Sequence, residues 1–600
     1  MLRLKRLSEL FALFFQMIRE DGLGYTLGRA TAFLKRRLRS KKGRFLPGKE
    51  ELARERETDC SAFPKLSICT ALYNTDPKFL REFVESFLHQ TNQNSELCLA
   101  DASDDAHGAV GQYIAEIMQK TDRVKYVKLE DNGGISVNTN AAAQLATGSY
   151  LALADHDDIL APNACYVMAK AAAETGADFL YSDEALFTTD YLRPSTGHFK
   201  PDFAPHYLTG CNYICHLAAF KKELFFEAGG LDAAYDGSQD HDLFFRLTER
   251  AEKIVHLPKV LYYWRVHAGS TSGGVEAKPY VEEAAMKAID AHLARTGVKG
   301  HAVKGKFPST YKVEYELPQP APLVSILIPN KDHTDDLEKC LAALYSKTTY
   351  PNFEVLVIEN NSTKPETEAY YESAPARYKN LKVLRYQGGF NFSAINNVGR
   401  AAAKGEYLVL LNNDVEVLTC NWIEEMLGLC SQPETGAVGA MLYYPDNTIQ
   451  HAGVITGLGG FAGHSHKYAA RGHSGYMFRL ATVQDFSCCT AAMLMVKASV
   501  YDEVGGLDEE FKVAFNDVDF CLAIRKAGYS VVFTPYAEAY HYESKSRGLD
   551  KKGEAKERFD GERARLKERW GDALLHDPFY NPNLTLDMEN FSEAAVLPKD

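Results

Sequence analysis

The sequence predicts an α/β protein with two tandem domains, each built on a mostly parallel β-sheet flanked by helices. Three observations favour this fold. The chain has 600 residues, which is more than one hydrophobic core usually serves. Apolar strand-like runs alternate with amphipathic helical segments in both halves. The order of motifs in the first half also recurs in the second, as expected for an internal repeat.

The predicted elements follow each other in a simple order. A Pro-rich stretch, "ELPQPAPL", separates the two repeats and has the composition of a linker. A strongly charged helical segment follows the second repeat. The predicted boundaries are 1–60 for a basic amphipathic helical segment, 61–315 for the first α/β domain, 316–322 for the linker, 323–548 for the second α/β domain and 549–600 for a C-terminal helix and tail.

The N-terminal segment differs in charge from the rest of the chain. Residues 1–45 contain twelve Lys and Arg but three acidic residues. Their apolar run, from Leu7 to Ile18, is too short to span a bilayer, and no small-residue cleavage site marks a signal peptide. Residues 1–45 therefore either lie on an anionic membrane surface or pack on the protein's own domain. We expect a cytoplasmic protein that is peripheral on the membrane face in the first case.

Charge and cysteine content exclude other classes. The net charge is −13, whereas nucleic-acid-binding proteins usually present a basic face, so we expect no nucleic-acid partner. The 12 cysteines are scattered through apolar segments without metal-site spacing. Buried, reduced thiols of a cytoplasmic protein explain this distribution.

The internal repeat is supported by several motif pairs that occur in the same order. Each pair joins a strand, a turn or a helix start in the first half to its counterpart in the second. The pairs are "PKLSICTALYN" with "PLVSILIPNKD", Asp101 with Glu359, Gly148 with Gly405, "AGGLD" with "VGGLD", "QDHDLFFRL" with "NDVDFCLAI", and His267 with His541.

Carboxylates follow the same strand in both repeats. "LALADHDD" ends in Asp155, Asp157 and Asp158, and "LVLLNND" ends in Asn412 and Asp414. Ligands of mostly parallel sheets bind at the carboxyl ends of strands. Clustered carboxylates repel one another, so a cation is expected there, and hard oxygen ligands suit Mg²⁺ or Mn²⁺. The second copy, with Asn in place of Asp, should bind a cation less tightly.

This ordered set of motifs resembles the family 2 glycosyltransferases, which have the GT-A fold. The resemblance covers about residues 65–300 and 322–550. It rests on the strand-end Asp101, the D-x-D at Asp155 and Asp157, "GGLD", "QDHDL" and, in the second repeat, "LLNND" and "NDVDFCLAI". The resemblance implies a metal-dependent transfer of a sugar from a nucleotide-diphosphate donor with inversion at the anomeric carbon.

The resemblance also implies roles for individual residues. The residues implied for nucleotide binding are Tyr73, Asp101, Asp155, Glu359 and Asn412. Those implied for the metal, Mn²⁺ or Mg²⁺, are Asp155, Asp157 and His267 in the first domain and Asn412, Asp414 and His541 in the second. Asp240 and Asp517 are implied as general bases that accept the proton of the acceptor hydroxyl.

The resulting prediction is a bifunctional inverting glycosyltransferase that moves hexosyl or deoxyhexosyl groups from UDP- or dTDP-sugars. The implied acceptor is a lipid-linked or free oligosaccharide of a bacterial surface polysaccharide such as O-antigen. Two alternatives remain. Only the first domain is catalytic and the second holds the acceptor, or the protein is a sugar nucleotidyltransferase. The latter should show a Gly-rich basic loop after the first strand, which "TALYNTDPKF" does not have.

Overall fold

A computed structural model describes residues 42–267, 279–543, 553–595 and 597. Most of the predicted N-terminal helical segment, residues 1–41, lies outside these residues. Among the helices that are described, none has the length and apolar character needed to cross a membrane.

Sixteen α-helices lie within the described residues. They are α1 Lys49–Glu57, α2 Pro77–Leu88, α3 Ala109–Met118, α4 Ile135–Gln144, α5 Ala164–Thr175, α6 Pro205–Gly210, α7 Lys222–Glu227, α8 Gln239–Thr248, α9 Pro279–Thr296, α10 Thr334–Lys347, α11 Pro365–Arg377, α12 Phe392–Ala402, α13 Trp422–Cys430, α14 Ala498–Glu503, α15 Asn516–Lys526 and α16 Gly553–Leu575.

Twenty-three strands accompany them in the described part of the chain. They are β1 Leu66–Leu72, β2 Ser95–Asp101, β3 Val124–Lys128, β4 Tyr150–Leu153, β5 Ile159–Leu160, β6 Phe179–Phe187, β7 Thr196–His198, β8 Ala218–Lys221, β9 Ile254–Arg265, β10 Gly300–Lys304, β11 Tyr311–Tyr315, β12 Val324–Asn330, β13 Phe353–Asn360, β14 Leu381–Tyr386, β15 Tyr407–Leu411, β16 Val415–Val417, β17 Thr435–Tyr443, β18 Ile449–His451, β19 Val454–Thr456, β20 Ala462–His464, β21 Gln484–Phe486, β22 Met493–Lys497 and β23 Ser530–His541.

The strands form two large sheets with the same topology. The first has the order β3-β2-β1-β4-β8-β6-β9-β5, with β7 beside β6, and the second has the order β14-β13-β12-β15-β22-β17-β23-β16, with β18 beside β17 and β21 beside β23. The strands β3, β2, β1 and β4 are parallel, as is the pair β6 and β9, whereas β8 runs antiparallel between β4 and β6. The predicted tandem α/β fold is confirmed, and the antiparallel strand β8 is added to it.

The central strands are buried because they read as unbroken apolar runs. Every residue of β1, "LSICTAL", is buried, and β12, "VSILIPN", is buried except at Pro329. Such runs are typical of strands covered on both faces by helices. In α2 the apolar side chains repeat at helical spacing, and the helix begins at Asp76, whose side chain accepts the N–H of Lys78, followed by Pro77.

The chain divides into two compact units. Within the described residues, one comprises 42–203, 211–267 and 279–313, and the other comprises 204–210, 314–543, 553–595 and 597. The short helix α6 thus belongs to the C-terminal unit. There the imidazole Nδ1 of His206 lies 2.7 Å from Asp485 Oδ1, and the His206 backbone N–H donates to Oδ2 of the same residue.

Candidate active sites

The first site lies after β4, at the carboxyl end of the parallel strands. Ligand oxygens of Asp155, Asp157 and Asp158 lie within 4.8 Å of one another. Strand β1 separates β4 from β2, and the three strands run parallel, so Asp101 at the end of β2 lies at this same edge. The structure therefore brings the first strand-end acid and the D-x-D pair to one edge of the sheet.

Asp158 is the buried member of this group of carboxylates. It is 1% exposed, and its carboxylate accepts the hydroxyl of Tyr262 at 2.7 Å and the backbone N–H of Arg265 at 2.6 Å. Burial raises the pKa of Asp158, and the negative charges of Asp155 and Asp157 raise it further. Both oxygens of Asp158 contact protein donors, and Asp155 and Asp157 are the more exposed carboxylates of the three.

Arg265 fixes the backbone of the D-x-D loop. Its Nε donates to the carbonyl of Asp157 at 2.6 Å, and a terminal guanidinium nitrogen pairs with Glu82 at 2.6 Å. The guanidinium carbon lies over the rings of Phe79 and Phe187, at 4.4 and 4.6 Å. The sequence reasoning missed Arg265, although its position at the end of a strand that precedes His267 was a usable signal.

Two histidines contact the D-x-D carboxylates. His267 Nε2 lies 2.8 Å from Asp157 Oδ2, so these two residues, both predicted as metal ligands, are neighbours. His216 Nε2 lies 3.6 Å from Asp155 Oδ2, and sequence reasoning did not single it out. The Asp155 side chain is 49% exposed, compared with 20% for Asp157 and 31% for His267. Two carboxylates and one imidazole are a donor set that fits a divalent cation.

Asp240, the proposed base, lies in the first turn of α8 and is partly buried. Its Oδ2 accepts the amide of Asn212 at 2.8 Å. Burial raises the pKa of Asp240, while the neighbouring His216 lowers it. Asp242, two residues on, faces the other way: it is fully buried and bonds the guanidinium of Arg246. Asp240 is therefore the more exposed acid of the two.

The predicted nucleotide-binding pair differs in exposure. Tyr73, just after β1, is 49% exposed, whereas Asp101 is 1% exposed. Asp101 accepts the backbone N–H of Ser103 and the hydroxyl of Tyr126, each at 2.8 Å. Its carboxylate is therefore already anchored by the protein, although two oxygens carry more lone pairs than these bonds use.

The second site occupies the same place on the second sheet. His541 Nε2 lies 3.2 Å from Asp414 Oδ1 and 3.2 Å from the Asn412 amide nitrogen. On its other side, His541 Nδ1 lies 2.8 Å from Gln450 Oε1, and the Gln450 amide donates to Glu543 at 2.9 Å. One carboxylate, one amide and one imidazole converge here, a set that contains less charge and more nitrogen than the first site.

Asp517 begins α15, as Asp240 begins α8. Its Oδ2 accepts the backbone N–H of Ala491 at 3.3 Å. Two further histidines, His451 and His464, lie in this region with their Nδ1 atoms 2.9 Å apart. Burial lowers the pKa of His464, and the negative charges of Glu543 and Asp517 offset part of this shift. The sequence reasoning did not assign these histidines a role.

Two acids of the second domain are engaged elsewhere. Glu359, the counterpart of Asp101, is buried, bonds the backbone N–H of Ser362 and lies 3.4 Å from the guanidinium of Arg385. Glu416, which follows Asp414, accepts the hydroxyl of Tyr542 and pairs with Lys339 at 3.2 Å. Glu416 therefore does not replace the carboxylate that Asn412 lacks.

The strand register corrects the predicted pairing of His267 with His541. Ile159 pairs with Tyr263 in the first sheet, and its counterpart Glu416 pairs with Tyr540 in the second. His541 follows Tyr540 directly and so occupies the position of Trp264, whereas His267 lies two residues past the end of β9. The two histidines reach equivalent carboxylates from different positions. Their separation of 274 residues, against 277 for Asp240 and Asp517, was the available signal.

The chain is similar in sequence to a known protein family and to two bacterial proteins. The profile described as Glycosyl transferase family 2 matches residues 67–225 and 325–501. An uncharacterized protein, y4gI, of Sinorhizobium fredii (strain NBRC 101917 / NGR234) is 42% identical over 88% of this chain and 58% of its own length. The O-antigen biosynthesis protein RfbC of Myxococcus xanthus is 33% identical over 90% of this chain and 42% of its own. The chain thus spans about half the length of these relatives.

Matches to solved structures are partial and share little sequence. A crystal structure of GalNAc-T7 with UDP, GalNAc and Mn²⁺ matches with 15% identity and a TM-score of 0.36, over 44% of this chain and 51% of that protein. S. aureus TarS 1–349 in complex with UDP-GlcNAc matches with 20% identity and a TM-score of 0.31, over 38% of this chain and 66% of that one.

Proposed function

The chain belongs to glycosyltransferase family 2, and from that premise we propose that it is a bifunctional, inverting glycosyltransferase with one active site in each α/β domain. One observation carries this proposal. Two sheets of identical topology each present, after the equivalent strand, a carboxylate contacted by a histidine, and each adds an acid at the start of the equivalent helix, Asp240 or Asp517. The proposed domain limits are 61–315 and 323–548.

In the proposed reaction Asp240 accepts the proton of the acceptor hydroxyl. That oxygen bonds to the anomeric carbon of the donor sugar while the bond from this carbon to the diphosphate oxygen breaks on the opposite face. The raised pKa of Asp240, caused by burial, makes its carboxylate a stronger base than an exposed Asp. Asn212, which donates to Oδ2, holds the carboxylate in place. Asp517 has the same proposed role in the second domain.

A divalent cation, Mn²⁺ or Mg²⁺, is the proposed cofactor. Asp155, Asp157 and His267 would hold it in the first site, and Asn412, Asp414 and His541 in the second. When bound, the cation supplies Lewis-acid stabilisation of the negative charge on the departing nucleotide diphosphate. Each set combines oxygen ligands with one imidazole, and the second has an amide oxygen in place of one carboxylate, so it should bind the cation less tightly.

The proposed donors are UDP- or dTDP-sugars that carry a hexosyl or deoxyhexosyl group. Their base would lie beside the exposed Tyr73, at the strand end that carries Asp101. Glu359 has the corresponding position in the second domain. The proposed acceptor is a lipid-linked or free oligosaccharide of a bacterial surface polysaccharide, which the name of the Myxococcus relative supports. A cytoplasmic location, with membrane contact through residues 1–45, completes the proposal.

One observation favours a second candidate, in which the second domain only holds the acceptor. Asn412 and Val415 stand where the first domain has Asp155 and Asp158, so the second site carries fewer carboxylates. If this set binds no cation, the second domain would act as a scaffold for the growing glycan while Asp240 performs every transfer.

The test is sugar transfer by the full chain. UDP-glucose, UDP-GlcNAc and dTDP-rhamnose, each with Mn²⁺, are offered with oligosaccharide acceptors, and products are weighed by mass spectrometry. The bifunctional proposal expects Asp240→Asn and Asp517→Asn to remove different sugars from the product. An unchanged product from Asp517→Asn would favour the scaffold. Conversion of a nucleoside triphosphate and a sugar phosphate into a sugar nucleotide, without transfer, would contradict both candidates.

A further inference from the structure

His216 lies beside Asp155 in the first site and has no part in the mechanism above. It belongs to the loop from Cys211 to Leu217, which precedes β8. From this loop His216 Nε2 reaches to 3.6 Å from Asp155 Oδ2, and Asn212 donates to Asp240. One loop therefore touches both the leaving-group side and the acceptor side of the site.

The imidazole ring of His216 is held by aromatic neighbours. It stacks on Tyr262 with the centroids 4.8 Å apart and an interplanar angle of 26°, and it meets the edge of Trp264 at 5.5 Å. Tyr262 is itself fixed by its hydrogen bond to Asp158. The side chain is 14% exposed. The ring is thus packed on its faces while its Nε2 edge is directed at the D-x-D loop.

The backbone of His216 is held by a buried ion pair. Lys200, whose side chain is 0% exposed, donates from Nζ to the carbonyl of His216 at 2.5 Å and lies 3.1 Å from Glu184 Oε2. The same Glu184 oxygen accepts the backbone N–H of His216 at 3.1 Å. A fully buried lysine is costly unless it is paired and hydrogen-bonded. The arrangement therefore fixes the position of His216 closely.

Resting on the proposed function, we propose that His216 is a specificity-determining residue of the first site, whose Nε2–H donates a hydrogen bond to a hydroxyl of the donor sugar. In an inverting transfer the diphosphate leaves from one face of the anomeric carbon and the base acts on the other. The loop that contacts Asp155 through His216 and Asp240 through Asn212 would therefore lie beside the sugar ring. At 3.6 Å the His216 Nε2–Asp155 Oδ2 contact exceeds hydrogen-bond length, which leaves an Nε2–H able to donate to a bound hydroxyl.

The second domain has a different residue at this position. Tyr150 pairs with Lys221 in the first sheet, and its counterpart Tyr407 pairs with Lys497 in the second. His216 lies five residues before Lys221, and Ala492 lies five residues before Lys497. Ala492 offers a methyl group in place of the imidazole. We therefore expect the two sites to select different sugars, with an apolar or deoxygenated position facing Ala492.

The experiment measures how much the sugar adds to nucleotide binding. Calorimetry with Mn²⁺ compares UDP with UDP-glucose, UDP-galactose and UDP-GlcNAc on the full chain carrying Asp414→Ala, which removes a second-site ligand. The comparison is repeated with His216→Ala, His216→Gln and the control His198→Ala. His198 contacts the same Glu184 from β7 through Nδ1 at 2.9 Å.

The expected result is specific to the sugar. For the donor that wild type prefers, His216→Ala should weaken binding roughly 10-fold, with UDP affinity unchanged. His216→Gln, which keeps a donor, should recover part of the loss, and His198→Ala should match wild type. Deoxy analogues of the preferred donor should identify one hydroxyl whose removal has no further effect in His216→Ala.

Two results would overturn the inference. Equal losses for UDP and the UDP-sugar would make His216 a diphosphate or structural residue. No loss with any donor that binds would show that the ring does not contact the sugar. The proposed function fails in a different way, because the chain with His216 intact would then bind neither UDP nor a UDP-sugar with Mn²⁺.

Discussion

The two sites of this chain share one backbone layout and differ in charge. After β4 the first domain places Asp155, Asp157 and Asp158, whereas after β15 the second places Asn412, Asp414 and Val415. Both sheets have the same strand order and present these residues at the same edge. The comparison teaches that topology fixes the direction in which the site faces, while single side chains set how strongly it attracts a cation.

The supports of the two sites differ as well. In the first, Arg265 links the carbonyl of Asp157 to Glu82 and is buried between two aromatic rings. In the register of the second sheet Tyr542 takes the place of Arg265, and it contacts Glu416 and Lys339. A buried guanidinium that is bonded to the loop itself has been replaced by a tyrosine that contacts residues beside the loop.

The largest expected effect separates the two proposed bases. Asp240→Asn should lower first-site transfer by roughly 10²–10⁴-fold, because an amide cannot accept the acceptor's proton. Nucleotide and Mn²⁺ affinities should stay unchanged. Initial rates of donor consumption and calorimetry on the same samples check both statements. A matched loss of UDP binding would mean that Asp240 holds the donor instead.

Replacing Arg265 tests the difference in support. Arg265→Met should destabilise the N-terminal unit by about 2–4 kcal/mol, since it leaves buried acceptors and the partner Glu82 without their cation. The matched change Tyr542→Met in the second domain should cost about 1 kcal/mol, the size of one hydrogen bond. Hydrogen exchange of the peptides that contain residues 155–157 and 412–414 reports each effect locally. Equal losses of unfolding free energy in Arg265→Met and Tyr542→Met would contradict the proposed difference in support between the two sites.

A pH series compares one buried histidine from each unit. Burial lowers the pKa of His466 to about 3, with Arg479 and His473 adding to the shift, and its Nε2 accepts the N–H of Tyr476 at 3.1 Å. For His256 burial also disfavours charge, but Asp183 and Asp202 outweigh it and raise its pKa. The two units should therefore respond to acid with opposite sign.

The sign follows from proton binding. Neutral His466 contributes stability that is fully present above about pH 6.5 and is lost as pH falls toward 3. At pH 5 the loss in unfolding free energy is roughly 2 kcal/mol. His256 gives stability that is present below pH 6.5 and is lost as pH rises through its raised pKa. Hydrogen exchange at pH 5 and 7.5, corrected for the intrinsic rate, should show the C-terminal unit alone losing protection around residue 466. Loss of protection around residue 256 at pH 5 would contradict this prediction.

The smallest expected effect concerns cation affinity. Asn412→Asp should strengthen Mn²⁺ binding in the second site roughly 10-fold, about 1.4 kcal/mol, because it restores one carboxylate. Asp155→Asn should weaken the first site by a similar factor. Mn²⁺ titrations followed by electron paramagnetic resonance measure both. Identical affinities in wild type and Asn412→Asp would show that Asn412 does not face the cation.

The sequence predicted the fold and the strand-end acids because both depend on local patterns. Each apolar run predicts a buried strand, and the acid that follows it, Asp155 or Asp414, is thereby placed at the end of that strand. Three features depended on tertiary packing and could not be read in this way. The antiparallel direction of β8 leaves no periodic pattern in the sequence. The packing of α6 in the C-terminal unit depends on Asp485, which is distant in sequence. The placement of His216 depends on the buried Lys200.

The central claim is that each domain holds its own metal-dependent donor site, and binding stoichiometry tests it directly. Calorimetry of UDP in the presence of Mn²⁺ on the full chain should give two sites of unequal affinity. Asp157→Ala should remove the tighter one and Asp414→Ala the weaker one, leaving one site in each variant. A single site per chain, abolished by Asp157→Ala and untouched by Asp414→Ala, would contradict the account and leave the second domain as a scaffold.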